Sequence, residues 1–397
     1  MKSASKSAIA LIAGVAALPV MAQSFTPTAI KTESGIDFTP LLQAKLSHDS
    51  NIASASENEQ SSWILEITPA LLMSMAQGAN QYSLNISAAK GNYFSSSLDN
   101  YLDFFIDTNA LIDINQSNRL SLTSQYVSGH ENRGTGVSEG LGGSQAEPVE
   151  FDTFRINGYY EYGALSTPAR IRFLAGYFDK EYTNFEIQTR FRNFDTLSFG
   201  TIFFYDTQAT TRLVAEITQE NLRYDLVDPS GNRDSDTRKY RIGIDWEATA
   251  LTSGTLRIGY QDKDFVTNER EDFGGLTWDA SVAYQPLSYS TFRVTTGRAA
   301  KDPNVEGDFV KESKYGVNWQ HNWSDFLSST LSYNYTHEKF TGITRTDKLN
   351  SYGIAVDYLL LPNVQLALGA AINDKTSSVP TIQFDKTVFS ISVRAGF

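Results

Sequence analysis

The feature that most constrains this chain is a strict two-residue alternation of apolar and polar side chains that returns along almost its whole length. Such a rhythm puts successive side chains on opposite faces of an extended strand. Ile36, Phe38, Pro40, Leu42, Ala44 and Leu46 share one face, against Asp37, Thr39, Gln43, Lys45 and Ser47. Leu102, Phe104, Ile106, Ala110 and Ile112 repeat the pattern against Asp103, Asp107, Asn109 and Asp113. Tyr240, Ile242, Ile244 and Trp246 do so again, as do Leu276, Trp278, Ala280, Val282 and Tyr284. Eighteen such segments begin near residues 36, 63, 82, 101, 119, 153, 170, 193, 212, 238, 255, 276, 291, 313, 328, 350, 364 and 386. No comparable stretch has helical periodicity.

The connections alternate too. Short ones at 77–80, 115–118, 206–211, 286–290, 323–326 and 361–363 take turns with longer polar ones at 48–61, 129–151, 225–236, 262–274, 299–311 and 373–383. A soluble sandwich has no reason to segregate loop lengths in this way, whereas outer-membrane barrels pair tight periplasmic turns with long outer loops. The apolar faces also begin and end in amphipathic rings, as in Tyr240 and Trp246, Trp278 and Tyr284, Tyr315 and Trp323, Tyr352 and Tyr358. Rings so placed suit the two membrane interfaces. About six residues separate them, or roughly 20 Å of strand, which is short of the ~25 Å apolar band of such barrels. The fold class read from these patterns is all-β: a transmembrane antiparallel up-and-down β-barrel of 16 to 18 strands, with 18 expected.

Composition narrows the location. The chain has 397 residues and no Cys, which excludes disulfide scaffolds, thiol enzymes and Cys-ligated metals. No run approaches the ~18 apolar residues of a membrane-spanning helix. Residues 1–22 read as a signal peptide, with Lys2 and Lys6, an apolar stretch from Ile9 to Leu18 and the small-x-small site Val20-Met21-Ala22. Residues 23–34 then form a short periplasmic segment and 35–397 the barrel. Losing Lys2 and Lys6 with the leader takes the net charge from -12 to -14. That balance excludes nucleic acid as a partner, because phosphate-backbone binding needs a basic face. The final strand, with Phe389, Ile391, Val393, Ala395 and terminal Phe397 on one face, resembles the signal that bacterial outer-membrane barrels present to their assembly machinery.

A resemblance extends this reading. Leu46-Ser47-His48-Asp49-Ser50-Asn51-Ile52, the stretch from Trp63 to Pro69, and Gly91-Asn92-Tyr93 with Asn100-Tyr101 resemble outer-membrane β-barrel porins encoded within bacterial exopolysaccharide and capsule gene clusters. Members carry an aromatic residue before Asp-Asp/Ser-Asn-Ile/Val in the first loop; here His48 takes that place. The motif spans about 60 residues, the architecture most of the chain. The resemblance implies a bacterial outer-membrane location, a role in export or surface display of polysaccharide, and polysaccharide-export components as partners.

A barrel of about eighteen strands encloses water, so a porin-like channel is expected. The polar face carries Asp103, Asp107, Arg155, Glu161, Arg170, Arg172, Glu216, Lys239, Arg241, Asp245, Arg257, Asp279 and Arg293. Both signs occur, and strong ion selectivity would need a ring of one sign. Phe105 and Tyr159 fall on the same face and offer rings on which sugars could stack. The outer connections hold most of the negative charge and suggest contact with lipopolysaccharide through divalent cations, alongside outer-membrane lipid. The longest, with Gly134, Gly136, Gly140, Gly142 and Gly143, can fold inward to narrow the pore or extend into solvent.

Catalytic chemistry is not legible. His48, His130, His321 and His337 are scattered, without i, i+2 or i+4 His partners. His321 and His337 face outward beside Trp and Tyr rings rather than a nucleophilic Ser. Neither an enzyme nor a cofactor nor a metal site is expected. The competing reading is a non-conducting structural barrel whose outer loops anchor surface polymer or partner proteins.

Overall fold

The computed structural model describes residues 25–207, 210–247 and 251–397. The expected signal peptide, residues 1–22, lies outside the described residues. The strands are β1 (Ile30–Lys31), β2 (Ile36–Asp49), β3 (Ser62–Gln77), β4 (Asn80–Tyr93), β5 (Tyr101–Asn115), β6 (Asn118–Glu131), β7 (Val149–Tyr162), β8 (Ala169–Tyr182), β9 (Phe194–Asp206), β10 (Thr211–Tyr224), β11 (Ser235–Trp246), β12 (Thr252–Phe265), β13 (Phe273–Leu287), β14 (Ser290–Lys301), β15 (Val310–Asn322), β16 (Leu327–Phe340), β17 (Thr346–Leu361), β18 (Val364–Ser377) and β19 (Phe384–Gly396). Each of β2 to β19 pairs antiparallel with its sequence neighbours, and β19 returns to β2 from Val388↔Asp49 to Gly396↔Leu41. The result is a closed barrel of eighteen strands. β1 is an extra strand, paired with the start of β2.

Closure leaves no sheet edge and satisfies the backbone within the ring, which is the condition for crossing a bilayer with strands. The alternation sorts side chains through the wall. Leu102, Ile217, Ile242, Leu276, Tyr352 and Ile372 each expose 49 to 68% of their surface on the outer face, while their sequence neighbours turn to the inner face and pair with one another. Apolar surface is thus displayed outward, the inverse of a soluble domain.

The strands are longer than their apolar bands suggested. Most have 13 to 16 residues, about 3.3 Å each. A fourteen-residue strand tilted by about 40° rises roughly 35 Å, more than the ~25 Å band. The outer connections are correspondingly shorter; the longest covers residues 132–148 rather than 129–151. Several of the most buried apolar side chains lie in or at the edge of these connections, among them Ile52, Ala53, Val137, Phe309 and, at the first position of β7, Val149.

Candidate functional site

The inner wall is built by register. Antiparallel pairing sets Arg119 and Arg172 directly opposite Glu161 from either side, Arg212 opposite both Asp206 and Asp245, and Arg241 opposite Glu216. Directly opposed side chains on one face lie close enough to interact. Glu161, 2% exposed, accepts hydrogen bonds from Arg119 (2.6 Å), Arg170 (3.2 Å) and Arg172 (2.6 and 2.9 Å). Arg170 also reaches Asp206 (3.0 Å), which Arg212 meets from its other side (2.8 Å). Glu216 pairs with Arg241 and lies 3.8 Å from Arg257. Register sets Arg257 opposite Asp279, yet its guanidinium turns to Asp245 (2.6 Å). A continuous ladder of six arginines and four carboxylates therefore runs from β6 to β12.

Rings are laid into this ladder. Arg172 lies over Tyr159 (4.1 Å) and Phe204 (5.0 Å), and Arg155 over Phe178 (4.2 Å). Such stacking holds a guanidinium flat and partly desolvated.

Among the described residues, recesses open along the inner face, and three of them hold candidate residues. One, of about 630 Å³, lies by the short turns and is bounded by Asp206, Arg212, Asp245, Ser281 and Arg293. A second, of about 450 Å³, has Tyr159 and Leu174 beside Asn157, Thr123, Glu220 and Lys239. The third, of about 420 Å³, lies on β2–β6 and holds Phe105 with Glu66, Asp103, Asp107 and Arg394. Volumes of this order accommodate small ligands. The structure does not bring Phe105 and Tyr159 together; each serves its own recess. It also separates charge, with arginines dominating β6–β12 and carboxylates prominent on β3 and β5. Asp107 accepts from Gln125 (2.8 Å), Asp103 contacts His130 (2.9 Å), and Arg293 reaches Ser281 Oγ at 3.5 Å. Phe397 follows β19 at the short-turn end, its amide donating to Pro40 O (3.0 Å) and its ring 62% exposed.

The long-loop end is narrowed by the connection 132–148, which leaves β6 and reaches the far side of the ring. Arg133 anchors its start, donating to Asp99 (2.6 and 2.7 Å) and Gln60 (3.1 Å). Glu139 at its far point pairs with Arg345 (2.7 Å) and with Lys375, both of which also pair with Asp347. Gly134 and Gly142 pass against the first loop so closely that a Cβ at either would collide with the Ala53 carbonyl oxygen. Gln188, in the short helix α1 (Glu186–Thr189), donates to Val137 O (3.0 Å).

A second knot joins four loops. Arg192 pairs with Asp228 and donates to Val305 O (2.8 Å), which also receives Arg233 (2.6 Å). Arg270 donates to Gly307 O (2.9 Å), Asn232 O (3.0 Å) and Ser230 Oγ (2.8 Å). Burial pushes the Asp228 carboxyl up, but the bonds from Arg192 and Ser230 outweigh it and hold the group well below the usual carboxylate range. Sequence reasoning did not find Arg133, Glu139, Arg345 or Lys375; the glycine cluster was the only local sign of the inserted loop.

A closed eighteen-stranded barrel, apolar outside and ionic inside, defines a porin-like outer-membrane channel. The chain matches the family described as "Putative beta-barrel porin 2" over residues 37–397, and it belongs to that family. No curated protein matches the sequence. Among solved structures it is similar to OccK2 (OpdF) of Pseudomonas aeruginosa, with 7% identity, 92% of this chain and 98% of that chain covered, and a TM-score of 0.52. OpdO of the same organism gives 12%, 92%, 97% and 0.52. A BenF-like porin of Pseudomonas fluorescens Pf-5 gives 11%, 92%, 99% and 0.51. At such identities the likeness concerns the fold.

Proposed function

We propose that this protein is a passive channel for hydrophilic solutes that takes part in export or surface display of exopolysaccharide or capsule. The observation that carries the channel reading is the ionic inner wall: the ladder from Arg119 to Arg241 runs beside recesses rather than through a packed core. Asp103, Phe105, Asp107, Arg155, Tyr159, Arg172, Arg241, Arg257, Asp279 and Arg293 line the path in this reading, and no chemical step is involved. The polysaccharide link is supported by the first-loop motif around His48 to Ile52, and by recesses that join a ring to amide, hydroxyl and charged groups. Phe397 would serve as the contact for the barrel assembly machinery.

The loops knotted over the mouth favour one second reading, a non-conducting barrel that anchors surface polymer or partner proteins. Planar-bilayer recording of the purified barrel separates the two: stable ohmic conductance supports the channel, and its absence the anchor. A deletion strain with normal surface polysaccharide would overturn the biological assignment.

A further inference from the structure

Three acid–base neighbours in the sequence, Lys311-Glu312, Glu338-Lys339 and Asp347-Lys348, sit at the loop ends of β15, β16 and β17. Period-2 geometry sends the two members of each to opposite faces. The acids turn inward, where Lys301 holds both Glu312 and Glu338, and Arg345 holds Asp347. The cations share the other face with Arg298 and His337. Register then sets like against like at Lys311, directly opposite Lys339, and places His337 directly opposite Lys348. Like charges in direct opposition oppose strand pairing. Among the described residues, Arg298, Lys311, His337, Lys339 and Lys348 form no ion pair. Lys311 lies 5.4 Å from the Phe309 ring and 5.7 Å from the Phe273 ring, and Arg298 5.5 Å from Trp278. In a chain of net charge -12, a sector sorted in this way lacks its counter-ion.

The face below the cations supplies the rest of the site. One row below His337 and Lys348, Tyr315 and Tyr335 stack with centroids 6.2 Å apart, and a row further Tyr333 packs on Tyr352 at 5.0 Å. Leu331 and Ile354 follow, 40 and 48% exposed. Cations above, amphipathic rings at the interface and aliphatic surface below match an amphiphile with an anionic head and acyl chains. We propose that the outer face of β14–β17 binds the phosphorylated headgroup of an outer-leaflet glycolipid, with Lys339 and Lys348 as its principal phosphate ligands. The contact is direct, in contrast to the divalent bridging expected of the acidic loops.

The test uses the full-length barrel in nonionic detergent, titrated with bisphosphorylated lipid A, with the same lipid stripped of phosphate, and with inorganic phosphate, read by native mass spectrometry and by unfolding midpoint. The wild type is expected to prefer the phosphorylated lipid by about tenfold or more, and K339E/K348E to lose that preference. Without lipid, the variant should unfold no earlier than the wild type, because the like-charge opposition of Lys311 and Lys339 has been removed; a purely structural role predicts earlier unfolding. K90E, on the outer face of β4, should retain the preference. Should K339E/K348E fail to fold, K339Q/K348Q replaces it with the same expectation in binding. Equal affinity for the two lipids, an undiminished preference in the variant, or full competition by inorganic phosphate would overturn the proposal.

Discussion

The inner wall and the mouth are both held by ion pairs, but the pairs arise differently. In the wall, Glu161 meets Arg119 and Arg172 because strand register leaves them nowhere else to go. At the mouth, Glu139 reaches Lys375 across 236 residues of sequence, and Arg192 pairs with Asp228 and also donates to the Val305 carbonyl across 113. The first kind follows from local repetition and tightens with the barrel. The second exists only once separate loops have been brought together, and it ties the loops to one another rather than strand to strand.

Breaking each kind should therefore have opposite signatures. The largest effect is expected from Glu161→Ala, which leaves three guanidinium groups around an empty centre. Loss of one partner from a buried ionic cluster costs about 3 kcal/mol or more, so the heat-induced mobility shift should move to clearly lower temperature. A shift of only a degree or two would show that water in the lumen already compensates these arginines. Next, Glu139→Ala leaves Arg345 and Lys375 still paired with Asp347, so it should lower barrel melting far less than Glu161→Ala, yet raise single-channel conductance and gating noise as the inserted loop loses its hold on Arg345. Gly142→Ala, by clashing with Ala53, should act in the same direction without removing a charge.

A smaller effect concerns acidity. The Asp228 carboxyl is depressed by Arg192 and Ser230, so its contribution is complete above the unfolded value of about 3.9 and declines as pH falls below it. Protease nicking within residues 225–234 should accordingly rise from pH 7 to pH 3 in the wild type. Asp228→Asn should be nicked readily at both. The smallest change is expected from F105A and Y159A: each single variant should reduce glycan-dependent current block in part, since the two rings serve separate recesses, and a full loss from either would join them into one site.

Much of the wall was legible because lipid outside and water inside impose a two-letter pattern. Segments expected from 36, 101 and 364 begin there. Those expected from 153 and 350 begin at 149 and 346, since there Glu150, Asp152, Lys348 and Asn350 take the outward positions that apolar side chains hold in the band, while Val149, Phe151 and Leu349 take the inward ones. Partner choice was less legible. Arg257 faces Asp279 by register but prefers Asp245, a decision made by side-chain reach rather than by strand period. The mouth was almost opaque, because Arg133 to Asp99 and Glu139 to Arg345 follow no repeat, and only the glycines hinted at a chain forced through a narrow gap.

One seam of the cylinder is sewn differently. β13 and β14 pair no further toward the loops than Trp278↔Arg298, which would leave the amide and carbonyl of Ala300 facing a gap. Gln261 of β12 fills both roles from two strands away, donating to Ala300 O (2.9 Å) and accepting from Ala300 N (3.0 Å), and Gly275 opposite it adds no side chain in the way. A side-chain carboxamide thus stands in for a peptide group. At this level of the wall the hoop is complete in hydrogen bonds where it is incomplete in backbone, and one side chain carries the closure that paired strands supply lower down.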